Sequence, residues 1–434
     1  MKITIVGVGY VGLVTAICLA SKGHNIICID NNKEKIDMLK NCKSPIFEPR
    51  VEEYMHRFQN NLKYTSDIIE AYKNTDIIII CVGTPENEDG SVNLNLIYKV
   101  SEEISKSIEK NCFVVIKSTV PMGTNKEVEK FINKNVKNDI CIETISNPEF
   151  LSQGTAIENT LNADRIVVGV KSKTAEKVMK EMYKDFNSKI IVTDRETSEM
   201  IKYAANNFLA LKISYINEIA NLCEKVGANV EDVSKGIGMD SRIGTSFLKA
   251  GIGYGGSCFP KDTKALNYIA KQNNIEMKTI RASMDVNENQ KFKLIEKSRK
   301  YYKSFKNLNV AILGLSFKPN TDDARGSQAI ENINLIVNEG ANSIKIFDPI
   351  YPNNYFNKNQ IQYIHNIEET LKDVDICLIF TEWDEIKQID TNIFKNLMKN
   401  PIVLDGRNCF DLDKISEGII YESIGRKNKH KFTI

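Results

Sequence analysis

One twelve-residue segment concentrates reactive side chains: Gly251-Ile252-Gly253-Tyr254-Gly255-Gly256-Ser257-Cys258-Phe259-Pro260-Lys261-Asp262. Its glycines permit backbone conformations and close approaches that other residues do not. The Cys258 thiol follows them directly, with Lys261 and Asp262 just beyond. A thiol presented by such a loop beside a cation acquires thiolate, nucleophilic character. Lys202 and Asn206 stand at i and i+4 of a helical pattern and share one face. Buried, such a pair can polarise a substrate oxygen or hold an oxyanion; a solvated face is the plainer alternative. Asn147-Pro148-Glu149-Phe150-Leu151 closes a strand pattern and puts the Glu149 carboxylate at a sheet's carboxyl edge, where an acid is as often structural as catalytic.

A second group of residues points to a dinucleotide. Gly7-Val8-Gly9-Tyr10-Val11-Gly12 fits G-x-G-x-x-G, follows a strand pattern, opens a helical one, and is followed 18 residues later by Asp30 at the next strand's end. The first glycine makes the turn, the second admits the pyrophosphate, and the third packs helix on strand. Anionic phosphates then face a helix N-terminus. Asp30 accepts from ribose hydroxyls and repels a 2′-phosphate, which favours NAD over NADP. Val11 and Lys35 join the residues assigned to the cofactor. The strand-end loops CVGTP (81–85) and KSTVP (117–121) add Thr84 and Thr119.

These residues need a frame, and the chain supplies an α/β pattern. KITIVG (2–7), NIICID (25–30), DIIIICVGTP (76–85), CFVVIKSTVP (112–121), ICIETISNPEF (140–150) and DRIVVGV (164–170) read as strands alternating with helices. Near-continuous apolar strands of this kind make a parallel sheet covered on both faces. From Thr193 to Leu222 a helical pattern runs without proline or glycine, and more helix follows the glycine-rich segment up to Ser304. NLNVAILGLSF (307–317), SIKIFDP (343–349), VDICLIFTEW (374–383) and PIVLDGRN (401–408) then restore the alternation. Strand, glycine turn, helix, strand and terminal Asp recur at 308–348 as at 2–30. The expected fold class is α/β, with two Rossmann-like doubly wound domains joined by a long central helix and a helical middle domain. The expected domains are residues 1–192 for NAD, 193–304 for dimerisation and the cysteine loop, and 305–434 for the second substrate-binding unit.

Composition excludes several classes. The 434 residues are 42% hydrophobic and 26% charged with a net charge of +2, ordinary globular usage that gives no reason to expect nucleic acid or an anionic membrane as partner. The basic stretch GRKNKHKF (425–432) reads as a solvated tail. Ten scattered cysteines without Cys-x-x-Cys, and four isolated histidines, suggest neither metal site nor disulfide framework, and a reducing cytoplasm suits them. Residues 3–20 are uncharged, but Gly7, Gly9 and Gly12 divide them into strand, turn and helix rather than signal peptide or membrane span.

The chain resembles the UDP-glucose/GDP-mannose dehydrogenase family over nearly its whole length. The resemblance rests on GVGYVG (7–12), STVPMGT (118–124), NPEFL (147–151), KYAANNFLA (202–210), NEIA (217–220), DSRIG (240–244), GYGGSCFPKD (253–262), FKPNTDDAR (317–325) and DGRN (405–408). It implies two successive hydride transfers to NAD that turn a nucleotide sugar's 6-hydroxymethyl into a carboxylate, UDP-glucose into UDP-glucuronate. Cys258 would trap the intermediate aldehyde as a thiohemiacetal, which is oxidised to a thioester and hydrolysed. A second hydride can leave only after the aldehyde carbon has gained another heteroatom. By the same resemblance Asp262 and Thr119 would position a basic water, Lys202 and Asn206 would stabilise oxyanions, and Glu149 would assist thioester hydrolysis. Phe150 and Leu151, the Phe247-Leu248-Lys249-Ala250-Gly251 loop, Gly255, Lys318 and Arg407 would bind the sugar nucleotide. Lys261 and Arg325 would contact NAD, and Arg242 would reach across a homodimer formed through the central helix.

One departure is visible: Ser152 and Gln153 follow NPEFL where the family usually has an acid at the second position, and Gln153 cannot act as a base. GGSCFPKD with RIG upstream matches the UDP-glucose type. GDP-mannose enzymes share GGSC and PKD, whereas UDP-N-acetylmannosamine enzymes usually carry a histidine before the cysteine. A two-electron hydroxyacid dehydrogenase has no need of Cys258 or of a second α/β domain. A non-catalytic NAD-binding protein has no need of Cys258, Lys202 and Asp262 together.

Overall fold

The computed structural model describes residues 1–137, 139–350 and 355–427. They form two compact units: Met1–Ala205 with Lys264–Asn273, and Asn206–Thr263 with the described residues from Asn274 onward.

The first unit is built on eight strands: β1 (Lys2–Val6), β2 (Asn25–Ile29), β3 (Leu62–Thr65), β4 (Ile77–Ile80), β5 (Cys112–Ile116), β6 (Ile142–Ser146), β7 (Arg165–Gly169) and β8 (Lys189–Thr193). Their order is β3-β2-β1-β4-β5-β6-β7-β8. The Ile77–Ile80 run shows why the sheet is buried twice over. Ile77 and Ile79 enter one hydrophobic core, and Ile78 and Ile80 the other. Alternate side chains of a strand point to opposite faces, so a strand apolar at every position needs cover on both.

The expected sheet is corrected in two respects. It is not wholly parallel, because β7 meets β6 antiparallel at Ser146↔Gly169 before pairing parallel with β8. The link between β6 and β7 contains one short helix, Ala156–Leu161, which packs into the core beside the first helix (Tyr10–Ser21) instead of carrying the chain back across the sheet. The edge strands β3 and β8 are also absent from the sequence reading. They are partly exposed and lack the long apolar run that marks the inner strands.

Residues 3–20 fold as the glycines predict, into strand, turn and helix. No helix of the described residues is long and apolar enough to cross a membrane. No cluster of described His, Cys, Asp or Glu side chains could hold a metal ion.

The second unit carries β9 (Asn309–Leu313), β10 (Ser343–Phe347), β11 (Ile361–Tyr363), β12 (Ile376–Ile379), β13 (Ile402–Asp405) and β14 (Ile420–Glu422), all parallel, in the order β11-β10-β9-β12-β13-β14. The internal repeat extends to single hydrogen bonds. Gly7 N donates to Ile29 O at 2.8 Å, and Gly314 N to Phe347 O at 2.7 Å. Asp30 Oδ2 accepts from Val8 N at 2.9 Å, and Asp348 Oδ2 from Leu315 N at 2.6 Å. The copies have diverged in exposure. Asp348 is fully buried beneath the Trp383 indole N–H at 3.2 Å, and desolvation raises its pKa.

The long helix spans Arg195–Val226, 32 residues, one turn beyond the expected end at Leu222, and stops at Gly227 with φ +81°. The helices Val230–Gly238, Phe259–Gln272, Lys278–Gln290 and Lys293–Ser298 complete the helical middle. The basic stretch 425–432 is not wholly a solvated tail, and its residues 428–432 lie outside the described residues. Arg426 is buried, donating to Phe410 O at 3.0 Å and pairing with Glu231 at 3.2 Å.

Candidate active site

The dinucleotide loop sits where β1 meets the first helix. Gly9 is the N-cap of that helix, which has no side-chain cap and no acid in its first turn. A Cβ on Gly12 would lie 1.8 Å from the Gly7 carbonyl oxygen, whereas one on Gly9 would meet nothing within 4 Å. Gly12 is therefore required by packing, and Gly9 leaves open the side from which a phosphate approaches. Asp30 is fixed at the end of β2, its two oxygens accepting from Val8 N and Asn32 N, both at 2.9 Å. Each carboxylate oxygen keeps lone-pair capacity for a ribose hydroxyl. Val11 and Lys35 are half-buried nearby in sequence. The Thr84 hydroxyl donates to Thr119 O at 2.9 Å, and Ser118 donates to Val82 O at 2.6 Å, so the two strand-end loops are tied together. These groups fit a dinucleotide.

Glu149 and Lys202 form a buried ion pair at 3.0 Å, with side-chain exposures of 9% and 4%. The other Glu149 oxygen accepts from Leu151 N at 2.7 Å. Arg165 stacks on the Phe150 ring at 4.0 Å, and the Lys202 ammonium lies 5.2 Å from the same ring. Asn147, at the start of this loop, accepts from Tyr183 OH at 2.6 Å and Lys117 Nζ at 3.2 Å, and donates to Val167 O at 2.8 Å. The loop that carries Glu149 is thus anchored to β5, β7 and the chain after the Lys173–Met182 helix.

Beyond the loop, Glu48 accepts from Gly154 N at 2.6 Å and Ala156 N at 2.7 Å. The acid that holds the segment around Gln153 is Glu48, about a hundred residues away in sequence.

In the second unit, Cys258 O accepts from Asp262 N at 2.9 Å, which puts Cys258 at the N-cap of the Phe259–Gln272 helix. Negative charge on sulfur is favoured at that end of a helix. Cys258 is exposed, whereas burial pushes the Cys18 thiol up to about 12 and that of Cys377 well above its ordinary value. Asp262, 1% exposed, accepts from Asn206 Nδ2 at 2.6 Å, and its other oxygen lies 2.8 Å from the Lys261 ammonium. The Arg325 guanidinium is held by Asp323 at 2.8 and 2.7 Å. Its pKa is raised, first by that hydrogen bond and also by the nearby Cys258.

The glycine loop is clamped. A Cβ on Gly255 would stand 2.2 Å from Gly326 O. Four buried amides bind the loop, and of these only Asn217 lies in a motif quoted above, NEIA (217–220). Asn217 accepts from Gly251 N at 2.8 Å, Gln290 donates to Gly251 O at 2.7 Å, Asn287 accepts from Tyr254 N at 2.7 Å, and Gln328 donates to Tyr254 O at 2.7 Å. Their helices bury other polar side chains as well, such as Ser214, Ser283 and Asn332, so no apolar stripe set these amides apart, and as buried groups they must find partners.

Arg407 donates to Phe380 O at 2.8 Å and Gly253 O at 3.3 Å. Lys249 lies 3.7 Å from Glu382. Leu248 is buried, and Phe247 has φ +64°, strain of the kind concentrated at functional loops. Lys318 lies over the Phe317 ring at 5.6 Å. Arg242 is exposed and paired only locally with Asp240, at 2.6 Å.

Family models match in chain order: the NAD binding domain of the UDP-glucose/GDP-mannose dehydrogenase family over residues 1–187, its central domain over 196–289, and its UDP binding domain over 311–412. The chain belongs to the UDP-glucose/GDP-mannose dehydrogenase family. It is 42% identical to UDP-glucose 6-dehydrogenase TuaD of Bacillus subtilis strain 168, covering 98% of this chain and 93% of that protein. A UDP-glucose dehydrogenase structure from Pyrobaculum islandicum is 31% identical with a TM-score of 0.92, covering 98% of both chains. A UDP-D-ManNAc dehydrogenase structure from Pyrococcus horikoshii is 26% identical with a TM-score of 0.86, covering 98% of this chain and 99% of that one. Within this family the loop at 7–12 belongs to an NAD-binding domain, and Cys258 to the central one.

Proposed function

We propose that this enzyme oxidises the 6-hydroxymethyl group of UDP-glucose to the carboxylate of UDP-glucuronate, consuming one water and releasing two hydrides. The observation that carries this reading is the exposed Cys258 at a helix N-terminus, four residues from the buried Asp262–Asn206 pair. A two-electron alcohol oxidation needs no such thiol. Bound NAD supplies the hydride acceptor for each oxidation. Gly7, Gly9, Val11, Gly12, Asp30, Lys35, Thr84, Thr119, Lys261 and Arg325 are the residues proposed to hold it.

In the first oxidation Asp262 and Thr119 hold the water that takes the hydroxyl proton. Cys258 sulfur then adds to the aldehyde carbon and the carbonyl oxygen takes a proton, giving a thiohemiacetal. Loss of hydride and of that proton gives the thioester. Water adds with help from Glu149, the thiolate leaves, and the carboxylate forms. Lys202 and Asn206 stabilise the oxyanions.

Phe150, Leu151, Phe247, Leu248, Lys249, Gly251, Gly255, Lys318 and Arg407 are proposed to bind the nucleotide sugar. The division 1–192, 193–304 and 305–434 is retained as the functional one. The 42% identity to a UDP-glucose 6-dehydrogenase supports the choice of substrate. The product would serve polysaccharide synthesis.

A homodimer through the long helix is part of the reading. Phe208, Tyr215 and Leu222 recur every seven residues and are 61%, 51% and 56% exposed, an apolar stripe suited to a second copy. Arg242 would serve across that interface, and ten thiols without a disulfide suit the cytoplasm.

The deciding experiment is NADH formed per nucleotide sugar consumed, with UDP-glucose, GDP-mannose and UDP-N-acetylmannosamine in parallel. Two NADH per UDP-glucose is expected. One NADH with release of aldehyde removes the role of Cys258, and turnover confined to another sugar nucleotide overturns the substrate.

A further inference from the structure

Glu199 is a buried ionisable group without a part in the chemistry above. It lies on the long helix one turn before Lys202 and is 3% exposed. Its Oε2 accepts from Gly123 N at 2.6 Å. Its Oε1 accepts from Asn125 N at 2.9 Å and from Asn125 Nδ2 at 2.7 Å. No cation pairs with it among the described residues, so amides alone hold its charge. Desolvation raises its pKa, and the three amide hydrogen bonds oppose that rise.

The partners of Glu199 are informative. Gly123, with φ +92°, is the N-cap of the Thr124–Asn135 helix, and a glycine offers no side-chain cap. Glu199 supplies the acceptor from another element and places a negative charge at the positive end of that helix. Gly123 is four residues after Thr119 in STVPMGT. The near end of the same segment is pinned by Ser118 to Val82 O at 2.6 Å and by Thr84 to Thr119 O at 2.9 Å. Residues 118–125 are thus held at one end by strand-end loops and at the other by the helix of Lys202. A buried carboxylate is an expensive way to fill space. Its directional bonds to three amides do something an apolar residue cannot, which is to fix a backbone segment to a chosen turn of the long helix.

We infer that Glu199 is a positioning residue for the reaction, setting the Thr119 loop against the helix that carries Lys202. The inference rests on the roles proposed for Thr119 and Lys202. Glu199 touches no reacting group, so its effect falls on kcat, through the placement of Thr119, and leaves KM for NAD and for the sugar nucleotide nearly unchanged. A misplacement on the order of 1 Å in such a site costs up to about 100-fold.

The test is a double-mutant cycle of Glu199→Gln and Thr119→Ala, reading kcat, both KM values and thermal midpoint. Glu199→Gln keeps the shape but turns an N–H donor toward amide donors. The expected result is a kcat lower by about tenfold or more, with KM within about twofold, and a double variant little slower than Thr119→Ala alone. A kcat within about twofold of the parent overturns the inference, as do losses that multiply in the double variant, which is the mark of a merely structural cap. Where Glu199→Gln does not fold, Asn125→Ala removes one of the three bonds and keeps both backbone ones. It is expected to give a smaller kcat loss that is again non-additive with Thr119→Ala, and additivity or no loss overturns the inference. A parent that does not oxidise UDP-glucose sinks the functional reading instead, and Thr119→Ala with native kcat removes the premise of both.

Discussion

Replacing Gly9 by alanine separates a glycine kept for a ligand from one kept for the fold. Gly9 has φ −78° and ψ −166°, extended backbone open to any residue, and a Cβ there meets no atom within 4 Å. The variant should therefore fold. Alanine is a poorer N-cap than glycine, by about 0.5–1 kcal/mol, and for a unit of this size each kcal/mol moves the thermal midpoint by roughly 2–4 °C. The methyl group instead fills the space through which a pyrophosphate reaches the helix N-terminus. Overlap of one methyl group in a close-packed contact costs roughly 1–3 kcal/mol, a rise in Kd for NAD of about 5- to 150-fold. Gly12→Ala is the contrasting case, with its Cβ 1.8 Å from the Gly7 carbonyl oxygen. It must shift the first helix off β1, and it should lower the midpoint well beyond Gly9→Ala. Calorimetric titration with NAD and thermal unfolding of both variants decide the matter. Native NAD affinity in Gly9→Ala, or collapse of its fold, would refute the assignment of that open space to the cofactor.

Further expectations follow from individual contacts. Cys258→Ser should stall after the first oxidation or lose turnover, seen as one NADH or fewer per sugar; normal four-electron turnover ends the covalent scheme. Glu149→Gln leaves the Lys202 ammonium buried without its carboxylate, so about 3–5 kcal/mol of stability should go along with thioester hydrolysis, read by unfolding and by trapping of an acyl-enzyme. Glu129 is held near the buried Arg195 guanidinium at 2.5 Å. Burial raises its pKa, but the Thr144 N–H and Arg195 outweigh burial and the net shift is downward. Its stabilising contribution is fully present above the ordinary glutamate range and is lost as pH falls below that range through the lowered pKa, so the acid limb of the stability curve should flatten in Glu129→Gln. Phe208→Asp should yield monomers by light scattering, and a variant that stays dimeric moves the interface elsewhere.

Much of this protein was legible one residue at a time. The loop at 7–12 and its Asp30, the strands with apolar residues at every position, the second copy of strand–turn–helix–strand–Asp, and Cys258 in its glycine loop all declare themselves through local pattern. Short-range stereochemistry and strand periodicity dictate those features wherever they occur. Tertiary structure decided what depends on partners distant in sequence. It gave Lys202 to Glu149 and Asn206 to Asp262, so two residues one turn apart serve different carboxylates. It turned β7 antiparallel to β6, and it supplied the edge strands β3, β8, β11 and β14; the first two are partly exposed and the last two only three residues long, so none leaves a long apolar run to read. It set Glu48 beneath the loop where Gln153 stands, Glu199 on the amides of Gly123 and Asn125, and four buried amides around the glycine loop. These are hydrogen bonds of buried polar groups. The sequence fixes that each such group must find a partner, but only the packed chain determines which one.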